Sequence, residues 1–382
     1  MTRILLFGAS GSIGKQTLDV MKKNPQDFDL VGFTVGKRSR CISSIVSKFK
    51  NVKAVYLLDK KKIKYYENKF PHIKFVSGEL KEVCHLVDFD MAVNALVGFS
   101  GLLPSIEVLK MDKKLALANK ESLVVAGELI NDLLKNGHGE LFPIDSEHSA
   151  LWKCLKVDSE NVDKLMLTAS GGAFRNLSRS ELKDVKASDA LKHPTWKMGA
   201  KITIDCATMV NKCFEIIEAG YLYNYPYSKI GVTLHDESIL HSYVKYNDGI
   251  NRGEISKPDM RNPIKFALYE GRIPFETASF KDLNVLKNLH FHEFDITRYP
   301  MVKYAEVVLS KKGTYGATLN ASNEVAVAAY LKDQIRFLDI ERIIDTCMKE
   351  HHSINHPTIE DLVKVNNEVK TKAERLVKEL SR

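Results

Sequence analysis

The N-terminal third of the chain alternates two hydrophobic rhythms. Ile4-Leu5-Leu6-Phe7 is a short apolar run that ends in Gly8, and Ile13, Leu18 and Met21 then recur near helical spacing. Apolar runs at residues 30–35, 54–58, 75–76, 91–96 and 114–118 predict further strands, with helical stretches between most of them. Strands alternating with helices form βαβ units on a parallel sheet, and near-continuous apolar runs suit strands covered on both faces. Residues 139–142 and 164–167 are also strand-like. The C-terminal third turns helical. Residues 321–331 are rich in alanine and valine and predict a buried helix. Leu362, Val365, Val369, Ala373, Leu376 and Leu380 form one stripe behind Thr358-Ile359-Glu360-Asp361, a capping box with Asp in place of Glu. That pattern predicts a helical bundle.

A length of 382 residues corresponds to two or three domains. With 44% hydrophobic and 27% charged residues, wholesale disorder is excluded. Lys plus Arg is 56 against 48 Asp plus Glu, so the excess is +8. That is mild, fitting an anionic ligand without demanding nucleic acid. Cys41, Cys84, Cys154, Cys206, Cys213 and Cys347 contain no C-x-x-C pair. Neither a disulfide framework nor a cysteine zinc site is expected, and a reducing compartment fits. The opening MTRILLFGAS carries no basic leader, and the apolar run at residues 91–103 is broken by Asn94, Gly98, Ser100 and Gly101. The expectation is a cytoplasmic protein with neither a membrane span nor a nucleic-acid partner.

Gly8-Ala9-Ser10-Gly11-Ser12-Ile13-Gly14 is a G-x-x-G-x-x-G turn between the first strand and a helix. Glycines let backbone N–H groups approach a pyrophosphate, and the helix adds its positive N-terminus. An ordinary glycine-rich turn is the alternative; the position in a βα unit favours dinucleotide binding. The second strand ends at Gly36-Lys37-Arg38, two cations where NAD binders carry an acid; this favours NADP(H), with a solvated basic loop as the alternative. Lys60-Lys61-Lys62 with Lys64 reads as a solvated helix face.

Asn119-Lys120-Glu121 follows a strand end, where open parallel sheets bind ligands; helix capping by Asn119 or Ser122 is the alternative. In Pro143-Ile144-Asp145-Ser146-Glu147-His148, an extended chain puts Asp145 and Glu147 on one side. All-oxygen ligation there suits Mg²⁺ or Mn²⁺, unless Asp145 or Ser146 only caps a helix starting near His148. Thr168-Ala169-Ser170-Gly171-Gly172 is an anion nest or a plain turn. A helix through Thr208, Asn211, Lys212 and Glu215 places all four on one face. Asn211 and Lys212 suit a phosphate and Glu215 a third metal oxygen, against a merely solvated face. His193 and Trp196 lie in an aperiodic stretch; His193 suits proton exchange or anion binding, with a structural role as the alternative, and Trp196 suits closing over a ligand.

The ordered set GASGSIG, LANKESLV, PIDSEHSA, TASGGAF, HPTWKMG, ATMVNKCFE, PDMRNPI, LNASNEVAVAAYL and QIRFLDI resembles the 1-deoxy-D-xylulose 5-phosphate reductoisomerase family over essentially the whole chain. The resemblance implies an α/β protein: an N-terminal Rossmann-like NADPH domain (1–138), a central α+β catalytic domain (139–268) with a lid near 186–200, a linker (269–294) and a C-terminal α-helical bundle (295–382). It implies a homodimer. It implies NADPH contacts from Gly8, Ser10, Gly11, Ser12, Ile13, Gly36, Lys37, Arg38, Asn119, Glu121 and Gly199, and a divalent ion (Mn²⁺, Mg²⁺ or Co²⁺) held by Asp145, Glu147 and Glu215. Substrate contacts follow for Lys120, Ser146, Glu147, Ser170, His193, Trp196, Cys206, Asn211, Lys212, Glu215 and His241. Of all these, Lys120, Asp145, Glu147, His193 and Glu215 are the expected catalytic residues. The implied reaction is metal-assisted rearrangement of 1-deoxy-D-xylulose 5-phosphate. NADPH then reduces the aldehyde to 2-C-methyl-D-erythritol 4-phosphate, on the methylerythritol phosphate route to isoprenoid precursors. Three positions depart from the family. Cys206 stands where serine is usual, Ala173 where proline is usual, and His235-Asp236-Glu237 where His-Pro-Gln is usual.

Overall fold

The computed structural model describes residues 1–192, 195, 196, 198–272 and 283–381. These form two compact units: Met1–Ser122 with Leu129–Asp145 and residues 260–272, and Leu123–Glu128 with Ser146–Asp259 and residues 283–381.

The first unit is built on strands β1 (Thr2–Phe7), β2 (Phe28–Val35), β3 (Ala54–Leu57), β4 (Lys74–Val76), β5 (Met91–Asn94), β6 (Lys114–Leu117) and β7 (Glu140–Pro143). Between them come α1 (Ser12–Lys23), α2 (Ile42–Lys48), α3 (Ile63–Lys69), α4 (Leu102–Lys110) and α5 (Lys120–Lys135). All pairings are parallel, in the order β4-β3-β2-β1-β5-β6-β7. β1 is central, and Ile4 through Phe7 are completely buried, which explains their unbroken apolar run. Winding reverses between β1 and β5, so a ligand crevice opens past their C-terminal ends. Lys60, Lys61, Lys62 and Lys64 are exposed, as a solvated face requires.

The second unit contains α6 (Ser146–Val157), β8 (Val162–Ala169), α7 (Ala187–Ala190), α8 (Ala200–Thr208), α9 (Val210–Tyr223), β9 (Ile230–His235), β10 (Leu240–Tyr246) and β11 (Asn251–Ile255). The chain then returns to the first unit as α10 (Arg261–Leu268), which packs on α1. Arg261 Nε there meets Asp19 at 2.6 Å, and the Tyr269 ring meets Phe28 edge-on at 4.9 Å. α10 therefore lies with the first unit although its sequence falls inside 139–268. Of the expected linker 269–294, residues 273–282 lie outside the described residues.

The rest of the second unit is β12 (Phe291–Glu293), α11 (Tyr304–Lys311), α12 (Tyr315–Tyr330), α13 (Phe337–Lys349) and α14 (Ile359–Leu380). Its mixed sheet runs β11-β10-β8-β9-β12, with only β8 and β9 parallel. α12, α13 and α14 pack on one another. The capping box forms: Thr358 Oγ1 accepts from Asp361 N at 3.1 Å and Asp361 Oδ2 from Thr358 N at 2.9 Å. The stripe on α14 drifts at its end. Val377 is buried while Leu376 and Leu380 are half-buried, because the step from Ala373 is four residues rather than three. α12 begins six residues before the expected 321, since its buried face includes the polar Thr318 and Asn320, which apolar counting skips.

Candidate active site

The glycine turn is fixed by close backbone contact. Gly8 has φ +82°, and a Cβ there would lie 2.6 Å from the Ala95 carbonyl oxygen just past β5. A Cβ on Gly14 would lie 2.7 Å from Ala9 Cα, so only glycine lets α1 seat on the turn. Gly11 N donates to Gly8 O at 3.0 Å, and Gly8 N and Ala9 N donate to Thr34 Oγ1 and O at 2.8 and 2.9 Å. α1 starts at Ser12 without a side-chain cap, Ser10 and Ile13 are half-buried, and the turn opens at the switch point. Gly36, Lys37 and Arg38 are exposed at the end of the adjacent β2. This arrangement suits a pyrophosphate and an anionic ribose substituent. Asn119 is fully buried, and its Nδ2 donates to Leu96 O at 3.1 Å, Gly98 O at 3.0 Å and Glu121 Oε2 at 3.0 Å. Its side chain braces the backbone after β5, the other wall of the crevice.

The carboxylates converge by a route the strand reading did not give. β7 ends at Pro143 and α6 begins at Ser146, so Asp145 and Glu147 are not two steps along one strand. Asp145 instead precedes the first turn of α6, and Glu147 lies within it. One oxygen each from Asp145, Glu147 and Glu215 lies within 4.8 Å of the others, the one such acidic, histidine or cysteine cluster found among the described residues. Two ammonium groups balance these charges. Lys120, the first residue of α5, contacts Asp145. Lys212 Nζ contacts Glu215 and reaches Glu147 Oε1 at 2.9 Å and Thr168 O at 2.6 Å. Burial disfavours the charge on Lys212, but Glu147 and Glu215 outweigh it and hold its pKa above the ordinary lysine value. Asn211 Nδ2 donates to Glu215 Oε1 and Ser146 Oγ to Glu147 Oε2, each at 2.5 Å. The donor set is all oxygen, which fits Mg²⁺ or Mn²⁺.

The expected continuous helix through Thr208 is broken. Met209 has φ +61°, ending α8 and starting α9. Thr208 Oγ1 donates back to Ile204 O and Asp205 O at 3.2 Å, so Thr208 belongs to the last turn of α8 and does not share the face of Asn211, Lys212 and Glu215. That face is buried rather than solvated: Lys212 is 2% and Glu215 1% exposed.

Beyond β8, Gly171 and Gly172 have φ of +79° and +73°, and a Cβ on Gly172 would lie 2.6 Å from Ala207 Cα. The Ser170 turn is thus pressed onto α8 beside half-buried Cys206. Of the lid stretch near 186–200, residues 186–192, 195, 196 and 198–200 belong to the described structure; His193 lies outside the described residues. The Trp196 and His241 rings are 6.0 Å apart. His241 Nε2 is 3.1 Å from Ser256 O, and burial pushes its pKa below the ordinary histidine value. Gly199 caps α8, exposed and with open space around it.

Two polar groups escaped the sequence reading. His148 Nε2 lies 3.0 Å from Glu218 Oε2, the pair 0% and 1% exposed. Asp205 bonds Lys201 Nζ at 2.7 Å and Asn323 Nδ2 at 2.8 Å. The signal was available: charged residues inside apolar helices such as Ile204-Asp205-Cys206-Ala207 need partners.

Comparison with known proteins places the chain in one family. Residues 4–127 match the family model for 1-deoxy-D-xylulose 5-phosphate reductoisomerase, residues 141–223 its C-terminal domain, and residues 255–372 the DXP reductoisomerase C-terminal domain. The chain is 40% identical over 383 residues to 1-deoxy-D-xylulose 5-phosphate reductoisomerase 1 of Bacillus cereus, covering 98% of both. It is 43% identical over 371 residues to the Geobacillus kaustophilus enzyme, covering 96% of this chain and 97% of that one. Among solved structures, the Zymomonas mobilis reductoisomerase in complex with NADPH superposes with a TM-score of 0.90 at 31% identity, covering 99% of this chain and 100% of that one. A DOX-P reductoisomerase in complex with NADPH, fosmidomycin and magnesium gives 0.92 at 31% identity, covering 100% and 99%. With its fold and nearly its whole length matched, this chain belongs to the 1-deoxy-D-xylulose 5-phosphate reductoisomerase family.

Proposed function

We propose that the chain converts 1-deoxy-D-xylulose 5-phosphate to 2-C-methyl-D-erythritol 4-phosphate with NADPH and a divalent metal. The convergence of Asp145, Glu147 and Glu215 carries this reading, because hydride transfer alone needs no such cluster. When bound, the ion supplies Lewis acidity at the substrate oxygens and NADPH supplies hydride. The chain's own residues do the rest. Ser170, Cys206, Asn211 and Lys212 anchor the phosphate, giving binding energy remote from the reacting carbons. Lys120 and Lys212 hold the carboxylates in place before ligands arrive, so little reorganisation accompanies binding. Trp196 and His193 cover the substrate, keeping water out and both fragments together for rejoining. The proton transfers fall to Lys120, Glu147 or His193. Asn119, Glu121 and Gly199 complete the NADPH site. The homodimer, the cytoplasmic location and the division at 1–138, 139–268, 269–294 and 295–382 are part of the same proposal. For the location, no described helix is long and apolar enough to cross a membrane.

NADPH oxidation at 340 nm on adding 1-deoxy-D-xylulose 5-phosphate and Mg²⁺ or Mn²⁺ tests the proposal. Absence of turnover with both metals overturns it. Lys37→Ala with Arg38→Ala should weaken NADPH binding by about 10²-fold and leave NADH nearly unchanged, since each cation supplies a charge-assisted bond to the 2′-phosphate. Equal losses for both nucleotides would contradict that role. Cys206→Ser should lower KM for the sugar phosphate by about threefold, because a hydroxyl is the better donor. An unchanged or higher KM counts against Cys206 as a phosphate ligand.

A further inference from the structure

The chain between β9 and β10 has an unusual path. Both strands flank β8, one parallel to it and one antiparallel, so residues 236–239 must arch over the C-terminal end of β8. That end leads directly into Ser170. A crossing of this kind leaves backbone donors in need of partners away from a strand ladder. His235, completely buried at the foot of the arch, supplies one. Its Nε2 accepts from both Ile239 N and Leu240 N at 3.1 Å. An atom that accepts two N–H groups carries no proton, so the proton sits on Nδ1 and is donated to His290 O at 3.1 Å. The ring is also stacked on Phe291, with centroids 4.6 Å apart.

The arch touches the lid at Ser238 and again just past its C-terminal end. Ser238, with φ +54°, shares a hydrogen bond with Thr195 through hydroxyls 2.9 Å apart. His241, two residues past the arch, faces Trp196. Arg175 Nη1 donates to Asp236 O at 2.9 Å and Ser170 O at 3.4 Å, tying the arch to the substrate turn. The geometry points to His235 as a positioning residue: it fixes the arch on which the lid residues Thr195 and Trp196 dock, and so sets substrate affinity without touching substrate. This deepens the proposed function and rests on Trp196 covering the sugar phosphate.

The test uses three substitutions. His235→Leu removes the acceptor. His235→Gln keeps an oxygen where Nε2 sits, and His235→Asn is too short to reach both N–H groups. His235→Leu and His235→Asn should raise KM for 1-deoxy-D-xylulose 5-phosphate about tenfold while leaving KM for NADPH within about twofold, with His235→Gln restoring most of the loss. A second readout needs no turnover. The chain has two tryptophans, Trp152 and Trp196, so in a Trp152→Phe background quenching by acrylamide reports on Trp196 alone. Quenching should rise in the Leu and Asn variants and stay near the parent in Gln. Folded Leu and Asn variants with parental KM and quenching, or a Gln variant no better than they are, would overturn the assignment. If the parent enzyme shows no turnover, the functional reading fails, and the quenching series still decides whether His235 holds the lid.

Discussion

Asp145→Asn is expected to lower kcat on the order of 10³-fold while NADPH affinity stays within about twofold. The substitution keeps the shape of the side chain and removes one of three negative charges that converge within 4.8 Å. An all-oxygen site binds a hard cation by charge count, so affinity falls. The Lys120 ammonium, which contacts Asp145, also loses its charged partner while only 7% exposed. In the proposed function the nucleotide is held elsewhere, by the Gly8–Gly14 backbone and by Lys37 and Arg38, which is why its affinity should hold. Steady-state kinetics over a metal series and NADPH fluorescence titration separate the two effects. A variant that recovers to within tenfold of the parent at saturating Mg²⁺ would show that Asp145 is not a ligand.

Lys212→Met should destabilise the metal-free protein by about 3–5 kcal/mol, the usual cost of leaving buried charges unpaired. Lys212 is 2% exposed, and it is the shared counter-charge of Glu147 and Glu215. Removing it leaves two carboxylates close together in a low-dielectric setting. A divalent ion occupies the same electrostatic role, so added Mg²⁺ should stabilise the variant more than the parent. At about a hundred times Kd the gain is about 2.7 kcal/mol. Denaturant melts with Mg²⁺ and with chelator measure both numbers. A variant as stable as the parent in chelator would mean that Lys212 does not hold the trio together. Turnover should fall as well, since Lys212 also anchors the phosphate in the proposed function.

The individual expectations fared differently for physical reasons. β1, β2 and their turn were legible because a central parallel strand is apolar throughout and its glycines punctuate it. The capping box at Thr358 was legible because a capping box is local, complete within four residues. The break at Met209 was not. Non-glycine residues with positive φ are uncommon, and nothing in Ala207-Thr208-Met209-Val210 announces one. The tertiary demand to stack α8 and α9 imposes it. The arch of residues 236–239 was invisible for a related reason, because a strand's neighbours are not written in its own residues.

By itself the sequence determined the family, the parallel sheet of the first unit and which three carboxylates to expect together, because motif order and residue chemistry are carried along the chain. Only the tertiary structure decided how those carboxylates meet. Asp145 and Glu147 come together at a strand-to-helix turn, and Glu215 arrives from a helix 68 residues beyond Glu147, drawn in by Lys212. It also decided that Thr208 closes α8 apart from the Lys212 face, that α10 returns to pack on α1, and that His235 carries an arch. Each depends on packing between segments distant in sequence, and no local pattern of hydrophobic and polar residues encodes which distant partner a side chain will find.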